Sequence, residues 1–157
     1  MSKVSLNFII KDKVRYFRFL LNKGFKISNA SGFWESFGNW FVEFESPDCF
    51  LSILSDRDEV FVRIYPIKSD RKIAIGLEPM VFYLSGDRTF IGNYEGNLVW
   101  GTKKQLEQTS SLLEEYIDKI IPYMGREFQN IRNDYMLSGK RYMEIQRTTY
   151  RQKNRAS

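Results

Sequence analysis

The sequence contains no histidine among its 157 residues. Histidine is the commonest general base at neutral pH and the commonest protein ligand for zinc and iron, so its absence removes the most frequent catalytic and metal-binding chemistry. Serines are not set in a G-x-S-x-G turn, and the glycines between 86 and 101 match neither a dinucleotide-binding motif nor a phosphate-binding loop. We interpret these glycines as turn positions. We therefore predict a protein that is not an enzyme, with no catalytic residue, no cofactor and no bound metal.

Carboxylates are the remaining candidates for chemistry. Glu43 and Glu45 lie two residues apart, and Asp48, Asp56 and Asp58 follow them closely. Paired carboxylates can act as acid and base or hold a divalent cation, but the spacing of a calcium-binding loop is not present. Aspartate is common in turns for local hydrogen-bonding reasons. A carboxylate-only enzyme would need two of these acids in one deep pocket, and the turn interpretation is favoured.

The chain also has a single cysteine and no long apolar run. Cys49 cannot form an intramolecular disulfide, which fits a reducing compartment, and without a histidine it is interpreted as a small buried hydrophobic residue. No apolar stretch approaches the roughly 18–20 residues that span a bilayer. Residues 1–5 lack the features of a secretory signal. These absences predict a cytoplasmic protein that does not contact a membrane.

Charge is unevenly distributed along the chain. Of 24 basic and 19 acidic residues, six basic residues and one acid lie from Ser138 onward, and residues 1–137 hold 18 of each sign. The excess of five positive charges therefore belongs to the last twenty residues. We predict a single domain over 1–137 and a basic, mobile C-terminal tail over 138–157.

Apolar periodicity predicts helices on both sides of a central region. An N-terminal helix is expected near 5–22, with Gly24 as its C-terminal cap. A short helix is expected over 77–84, with Pro79 in its first turn, where the missing N–H costs nothing.

A long helical segment follows in the C-terminal third. It begins at Thr102, where Gln105 supplies the second half of a capping box. Pro122 lies inside the pattern and should kink or split the helix. A break is predicted at Ser138–Gly139.

The central region alternates as β-strands do. Strands are expected over 40–45, 50–54 and 60–67, with a weaker candidate over 24–28 and a turn over 55–59. Their close spacing is typical of an antiparallel meander. One face is apolar throughout and should lie on the core: Trp40, Val42, Phe44, Leu51, Ile53, Val60, Val62 and Ile64. The fold class is thus α+β: an N-terminal helix, a small antiparallel β-meander, a short helix, and a long C-terminal helical segment packed on the sheet.

The other face of the meander mixes aromatic and charged residues, and two interpretations fit it. In the first, a loop or helix of the chain covers part of the face, and Glu43 or Glu45 pairs with Arg63 across the strands. In the second, the face contacts a partner protein, because phenylalanine, tyrosine and arginine are enriched at interfaces. The predicted partner-binding residues are Phe41, Glu43, Phe61, Arg63 and Tyr65.

The basic tail supports an alternative function. Six cations could neutralise several phosphates in a salt-sensitive manner, which would make the protein a nucleic-acid accessory factor. Tyr142 and Tyr150 could add stacking on bases. The predicted nucleic-acid-binding residues are Lys140, Arg141, Arg147, Arg151, Lys153 and Arg155.

A resemblance to known proteins concerns the middle of the chain. The segments 40–45 and 56–62, with Ile75-Gly76-Leu77-Glu78 after them, resemble small uncharacterised bacterial α+β proteins, some of them similar to immunity proteins that neutralise a neighbouring toxin. The resemblance covers about 40 residues and rests on a strand–turn–strand cadence. It implies a small, non-catalytic, partner-binding protein and assigns no binding residue.

Overall fold

The structure, a computed structural model, describes residues 11–33, 39–66, 72–89, 91 and 102–156. Helices precede and follow a single sheet along the chain, which confirms the predicted α+β fold. The predicted start of the first helix near residue 5 and the turn interpretation of the glycines from 92 to 101 lie outside the described residues. In chain order the described elements are a 3-10 turn at Arg15–Phe17, α1 at Arg18–Asn22, β1 at Lys26–Phe33, β2 at Asn39–Glu45, β3 at Cys49–Asp56, β4 at Glu59–Pro66, β5 at Ile75–Gly76, α2 at Leu77–Leu84, α3 at Thr102–Ile120 and α4 at Phe128–Ala156.

Gly24 ends the N-terminal helix, as the sequence predicts. Its φ is +87°, a conformation that glycine adopts without steric cost. The N–H of Gly24 donates to the carbonyl of Leu21 (3.2 Å), and the N–H of Phe25 donates to the carbonyl of Leu20 (3.0 Å). This is the Schellman pattern, and the apolar contact that usually accompanies it is available because Leu20 and Phe25 are both buried. The cap turns the chain directly into β1.

The sheet is an antiparallel meander in chain order, β1-β2-β3-β4-β5. Val42 pairs with Ile53, and Ile53 pairs with Val62, so one parity of every central strand lies on the same face. All eight residues predicted for that inner face are buried. The meander is therefore confirmed, with β1 longer than expected and the two-residue strand β5 added at the far edge.

The turn between β3 and β4 has a backbone shape that its residues disfavour. Arg57 and Asp58 have φ values of +50° and +65°. This left-handed region costs a residue with a side chain about 1–2 kcal/mol of conformational free energy. Asn39 Oδ1 accepts a hydrogen bond from the N–H of Arg57 (3.0 Å). Gln105 of α3 accepts from the N–H of Val60 (2.9 Å) and donates to the carbonyl of Asp58 (2.8 Å). The turn is thus held from two sides, and α3 is fixed to the sheet.

Pro122 splits the C-terminal helical segment instead of kinking it. The α-helix α3 stops at Ile120, and Pro122 lies in a 3-10 turn over Ile121–Tyr123. Met124 is extended, with ψ of 173°, and Gly125 has φ of +65° before α4 begins. Because Met124 leaves the helical conformation altogether, α3 and α4 are separate helices.

The predicted break at Ser138–Gly139 is wrong. Helix α4 runs without interruption from Phe128 to Ala156. Ser138 is 0% exposed and Tyr142 is 2% exposed, so the buried stripe of the helix continues into the segment expected to be a tail. The physical reason is tertiary contact, which overrides the low helix propensity of serine and glycine. Whether the last residues of α4 move stays a prediction.

Two contacts attach this part of α4 to the residues around α2. The ring of Tyr142 meets Phe82 edge-on with centroids 5.5 Å apart, and its hydroxyl donates to the carbonyl of Ile91 (2.6 Å). Asp87 accepts hydrogen bonds from the Ser138 hydroxyl and from the Arg141 guanidinium, which also forms an ion pair with it. The division between a domain and a tail at residue 137 therefore does not coincide with a structural boundary.

Replacement of Gln105 by alanine should lower the free energy of unfolding by about 2–3 kcal/mol. The N–H of Val60 would lose its partner in a buried position, and the carbonyl of Asp58 would lose its partner in a partly buried one. Urea denaturation followed by circular dichroism measures the change. Gln108→Ala, at an exposed glutamine of the same helix, is the matched control and should change stability by less than about 0.5 kcal/mol. Equal losses in the two variants would contradict the assigned role of Gln105.

Replacement of Tyr142 by alanine should destabilise the protein by about 3 kcal/mol, because a buried ring and a hydrogen bond are lost together. The measurement is again urea denaturation. Met143→Ala, at the neighbouring exposed position, should be close to neutral. An unchanged unfolding midpoint for the Tyr142 variant would show that α4 beyond Ser138 does not contribute to the fold in solution.

Candidate functional site

The outer face of the sheet brings together the five residues predicted to contact a partner. Alternate residues of a strand lie on opposite faces, and the register of β2, β3 and β4 aligns the outward residues in rows across the sheet. The rows are Phe41–Leu54–Phe61, Glu43–Ser52–Arg63 and Glu45–Phe50–Tyr65. The predicted residues Phe41, Glu43, Phe61, Arg63 and Tyr65 therefore occupy neighbouring positions on one surface.

These residues are accessible to different degrees. Arg63 is exposed, and Phe41, Glu43, Phe61 and Tyr65 are half-buried among their neighbours. Half-burial limits the side-chain entropy that each residue would lose on binding, while leaving area for contact. The side chains of this surface are thus partly ordered by their own neighbours.

Two apolar residues of β3 lie beside the predicted residues on this face of the sheet. Leu54 lies between Phe41 and Phe61 in the first row. Phe50 is buried beside Tyr65, and their rings meet edge-on with centroids 5.7 Å apart. The alternation of the strands places both residues on this face, so parity is the signal that identifies them. Parity alone does not show that Leu54 and Phe50 lie next to the predicted aromatic residues of β2 and β4; the strand pairing shows this.

The charged row has no internal ion pair. Glu43 and Arg63 flank the small residue Ser52, and two strand spacings separate their Cα atoms by about 10 Å. Among the described residues, no ion pair joins Arg63 to Glu43 or to Glu45. The cross-strand pairing considered from the sequence is therefore not observed, and both charges face outward from the sheet.

The helices pack against the opposite face. Buried side chains of α2 and α3 belong to one hydrophobic cluster with the inner face of the sheet; they include Leu77, Met80, Leu106, Leu113 and Ile117. The outer-face residues Phe41, Leu54, Phe61 and Tyr65 are not members of that cluster. Packing against the described helices therefore does not account for the aromatic character of the outer face.

Cys49 is a core residue and not a nucleophile. It lies at the start of β3 with 0% exposure. Burial raises the pKa of its thiol to about 11, and the hydrogen bond from Ser46 opposes this only in part. The thiol is therefore protonated at neutral pH, and a protonated thiol neither attacks nor coordinates. Folding raises this pKa from 9.0, so the folded state favours the protonated thiol. This preference contributes to stability below about pH 9, and the contribution is lost as the pH rises toward 11.

The acids of the 43–59 region do not line either of two open grooves on the described part of the chain. One open groove, of about 480 Å³, lies along α3 and includes Glu78, Glu107 and Glu115. Another, of about 410 Å³, lies beside Asp87 and Asp134. Within the described ranges, no group of histidine, cysteine and acidic residues is arranged to hold a metal ion. Nor does any described helix combine the length and hydrophobicity needed to cross a bilayer.

The residues predicted to bind nucleic acid all lie on α4. Arg141 is engaged with Asp87, as described above. The side chains of Lys140, Arg147, Arg151 and Arg155 are exposed. The side chain of Lys153 lies outside the described residues. The segment predicted to be a basic tail is thus helical, and its described cations lie along α4.

Comparisons of the chain with protein-family models, with curated proteins and with solved structures find no match.

The thiol of Cys49 should react with an aromatic disulfide reagent at pH 8 at least about a hundredfold more slowly than free cysteine, because only a small fraction is ionised and the sulfur is enclosed. Absorbance of the released thiolate measures the rate. The same protein unfolded in guanidinium chloride is the control and should react at the rate of free cysteine. Rapid reaction of the folded protein would contradict the assignment of Cys49 to the core.

Proposed function

We propose that the protein is a non-catalytic interaction module that binds another protein through the outer face of its sheet. The observation that carries this proposal is the arrangement of aromatic, carboxylate and guanidinium groups in three adjacent rows on a face that the described helices do not cover. Aromatic residues and arginine supply most of the binding free energy at protein interfaces. A sheet face that contacts only solvent would instead carry polar residues.

The dimensions of the face set what a partner must cover. Four strands of seven or eight residues span a flat area of about 500 Å², before the relief of the side chains is counted. A specific interface buries about 800 Å² on each partner. The partner must therefore cover the three rows and also extend over the rim of the sheet.

The charges on the face orient that partner. Glu43 and Glu45 lie on β2, whereas Arg63 lies two strands away on β4. A complementary surface has a basic group opposite β2, an acidic group opposite β4, and apolar side chains opposite Phe41, Leu54 and Phe61. Charges arranged in this way favour one docking orientation and disfavour partners of the wrong polarity.

The resemblance to immunity-protein-like bacterial proteins supplies a class of partner. Proteins of that kind neutralise a toxin by binding it, and a rigid sheet face can cover a functional surface without any chemistry of its own. We propose this class of partner for the outer face. The protein would then act by occupying its partner and not by modifying it.

The test is a charge reversal that leaves the net charge unchanged. Full-length protein captures partners from a host lysate, mass spectrometry identifies them, and titration calorimetry with the purified partner measures Kd. The variant Glu43→Lys/Arg63→Glu should weaken binding at least tenfold, because both charged groups would face like charges on the partner. The control Glu114→Lys/Arg18→Glu exchanges two exposed charges on helices and should change Kd less than twofold.

Two results would contradict the proposal. If the sheet variant bound every purified partner as tightly as the original protein, the outer face would not be the interface. If both variants lost affinity equally, binding would depend on the general charge distribution. Unchanged urea midpoints for the two variants establish that any loss of affinity is not a loss of fold.

A further inference from the structure

A row of cations lies on the side of α4 that faces away from the rest of the molecule. We define the basic stripe as Lys140, Arg147, Arg151 and Arg155, all exposed. With about 100° of rotation per residue, each of the four lies within about 40° of the direction opposite to Tyr142. Since Tyr142 is the buried anchor of this part of the helix, the stripe occupies the centre of the outward face.

The stripe has a net positive charge that its neighbours do not cancel. One acid, Glu144, lies among its four cations. In the described part of the chain, no carboxylate comes within ion-pair distance of the four cations. Residues 1–137 carry no net charge. The positive potential is therefore local to this helix and is not a property of the whole protein.

The stripe begins where α4 is attached to the rest of the fold. Asp87 binds Ser138 and Arg141, and Tyr142 packs on Phe82, so α4 is fixed to the body immediately beside Lys140. Cations on a fixed helix lose less conformational entropy on binding than cations on a flexible tail. From Lys140 to Arg155 the row is about 22 Å long, since a helix rises about 1.5 Å per residue.

The order of groups around the helix distinguishes between two polyanionic partners. A helix that lies in a membrane surface has apolar residues at the centre of its outward face and cations at the edges. From Lys140 onward the cations hold the centre, and the exposed residues Met143 and Tyr150 follow one flank; the exposed Leu137 lies on the outward face one turn before the row begins. This order suits a phosphate backbone, which arginine and lysine contact directly, and does not suit a lipid surface.

We propose that the basic stripe of α4 binds the phosphate backbone of duplex nucleic acid without reading its sequence. A row of about 22 Å spans the phosphates of roughly six base pairs of one strand. Cations placed singly along a helix contact phosphates and do not by themselves read bases. This activity uses none of the residues of the outer sheet face and is independent of the function proposed for that face.

The test measures binding of the full chain to a fluorescein-labelled DNA duplex of about 20 base pairs by fluorescence anisotropy, across about 50 to 200 mM salt. Four phosphate contacts predict a slope of log K against log salt of about −3.6. The variant Lys140→Gln/Arg147→Gln/Arg151→Gln should bind at least tenfold more weakly, with a slope smaller in magnitude by about 2.7. A duplex RNA of equal length shows which duplex geometry the stripe prefers, and binding of either supports the proposal.

The control removes the same number of charges elsewhere. Lys11, Arg18 and Lys26 are exposed cations outside α4, and their joint replacement by glutamine should leave the affinity within twofold. Equal losses in the two triple variants would overturn the proposal in favour of net charge alone. Absence of salt-dependent binding by the original protein would also overturn it. Tighter binding to phosphatidylserine-containing vesicles, lost in the stripe variant, would assign the stripe to a lipid surface instead.

Discussion

Burial of one face of a single sheet is the constraint on which the rest of this structure depends. Residues such as Leu51, Ile53 and Ile64 are removed from water by the helices that share one hydrophobic cluster with them, α2 and α3 among them. Each buried aliphatic side chain of this kind contributes about 1.5–3 kcal/mol. Since the side chains of a strand alternate, the same register that builds the core fixes every outward residue. The candidate interface is therefore a direct consequence of how the core is made.

The connection between α3 and the β3–β4 turn shows how polar contacts complete what apolar burial begins. Hydrophobic contact is not directional, and it does not by itself fix the position of a helix along a strand. Gln105 fixes that position by hydrogen bonding with backbone groups of Asp58 and Val60. It also holds a turn whose residues disfavour their φ values. One buried amide thus ties the register of the sheet to the position of a helix.

Local pattern predicted the parts of the fold that depend on local chemistry. The inner face followed from alternation, the end of α1 from Gly24, and the helix over 77–84 from periodicity and Pro79. The five residues of the candidate site followed from the same parity. Their assembly into rows required the pairing of Leu54 with Phe41 and Phe61, which is long-range information that a strand pattern does not contain.

The error at Ser138–Gly139 has the same origin. Apolar periodicity weakens after Ile131, and serine and glycine are poor helix formers, so a break was the local expectation. The helix continues because Ser138 and Arg141 meet Asp87, which is 51 and 54 residues distant in the chain. A contact between polar side chains leaves no apolar periodicity in the sequence. The outcome at Pro122 likewise depends on Gly125, whose φ of +65° permits a split where a kink was equally consistent with the sequence.

The two candidate surfaces depend on different contacts, and this separates their functions physically. The outer sheet face is made by the pairing of β2, β3 and β4, whereas the basic stripe is presented by the attachment of α4 to Asp87, Phe82 and Ile91. No residue belongs to both surfaces. Mutations at well-separated sites with no shared partners change stability almost additively. Substitutions that alter one surface therefore leave the contacts that build the other surface in place.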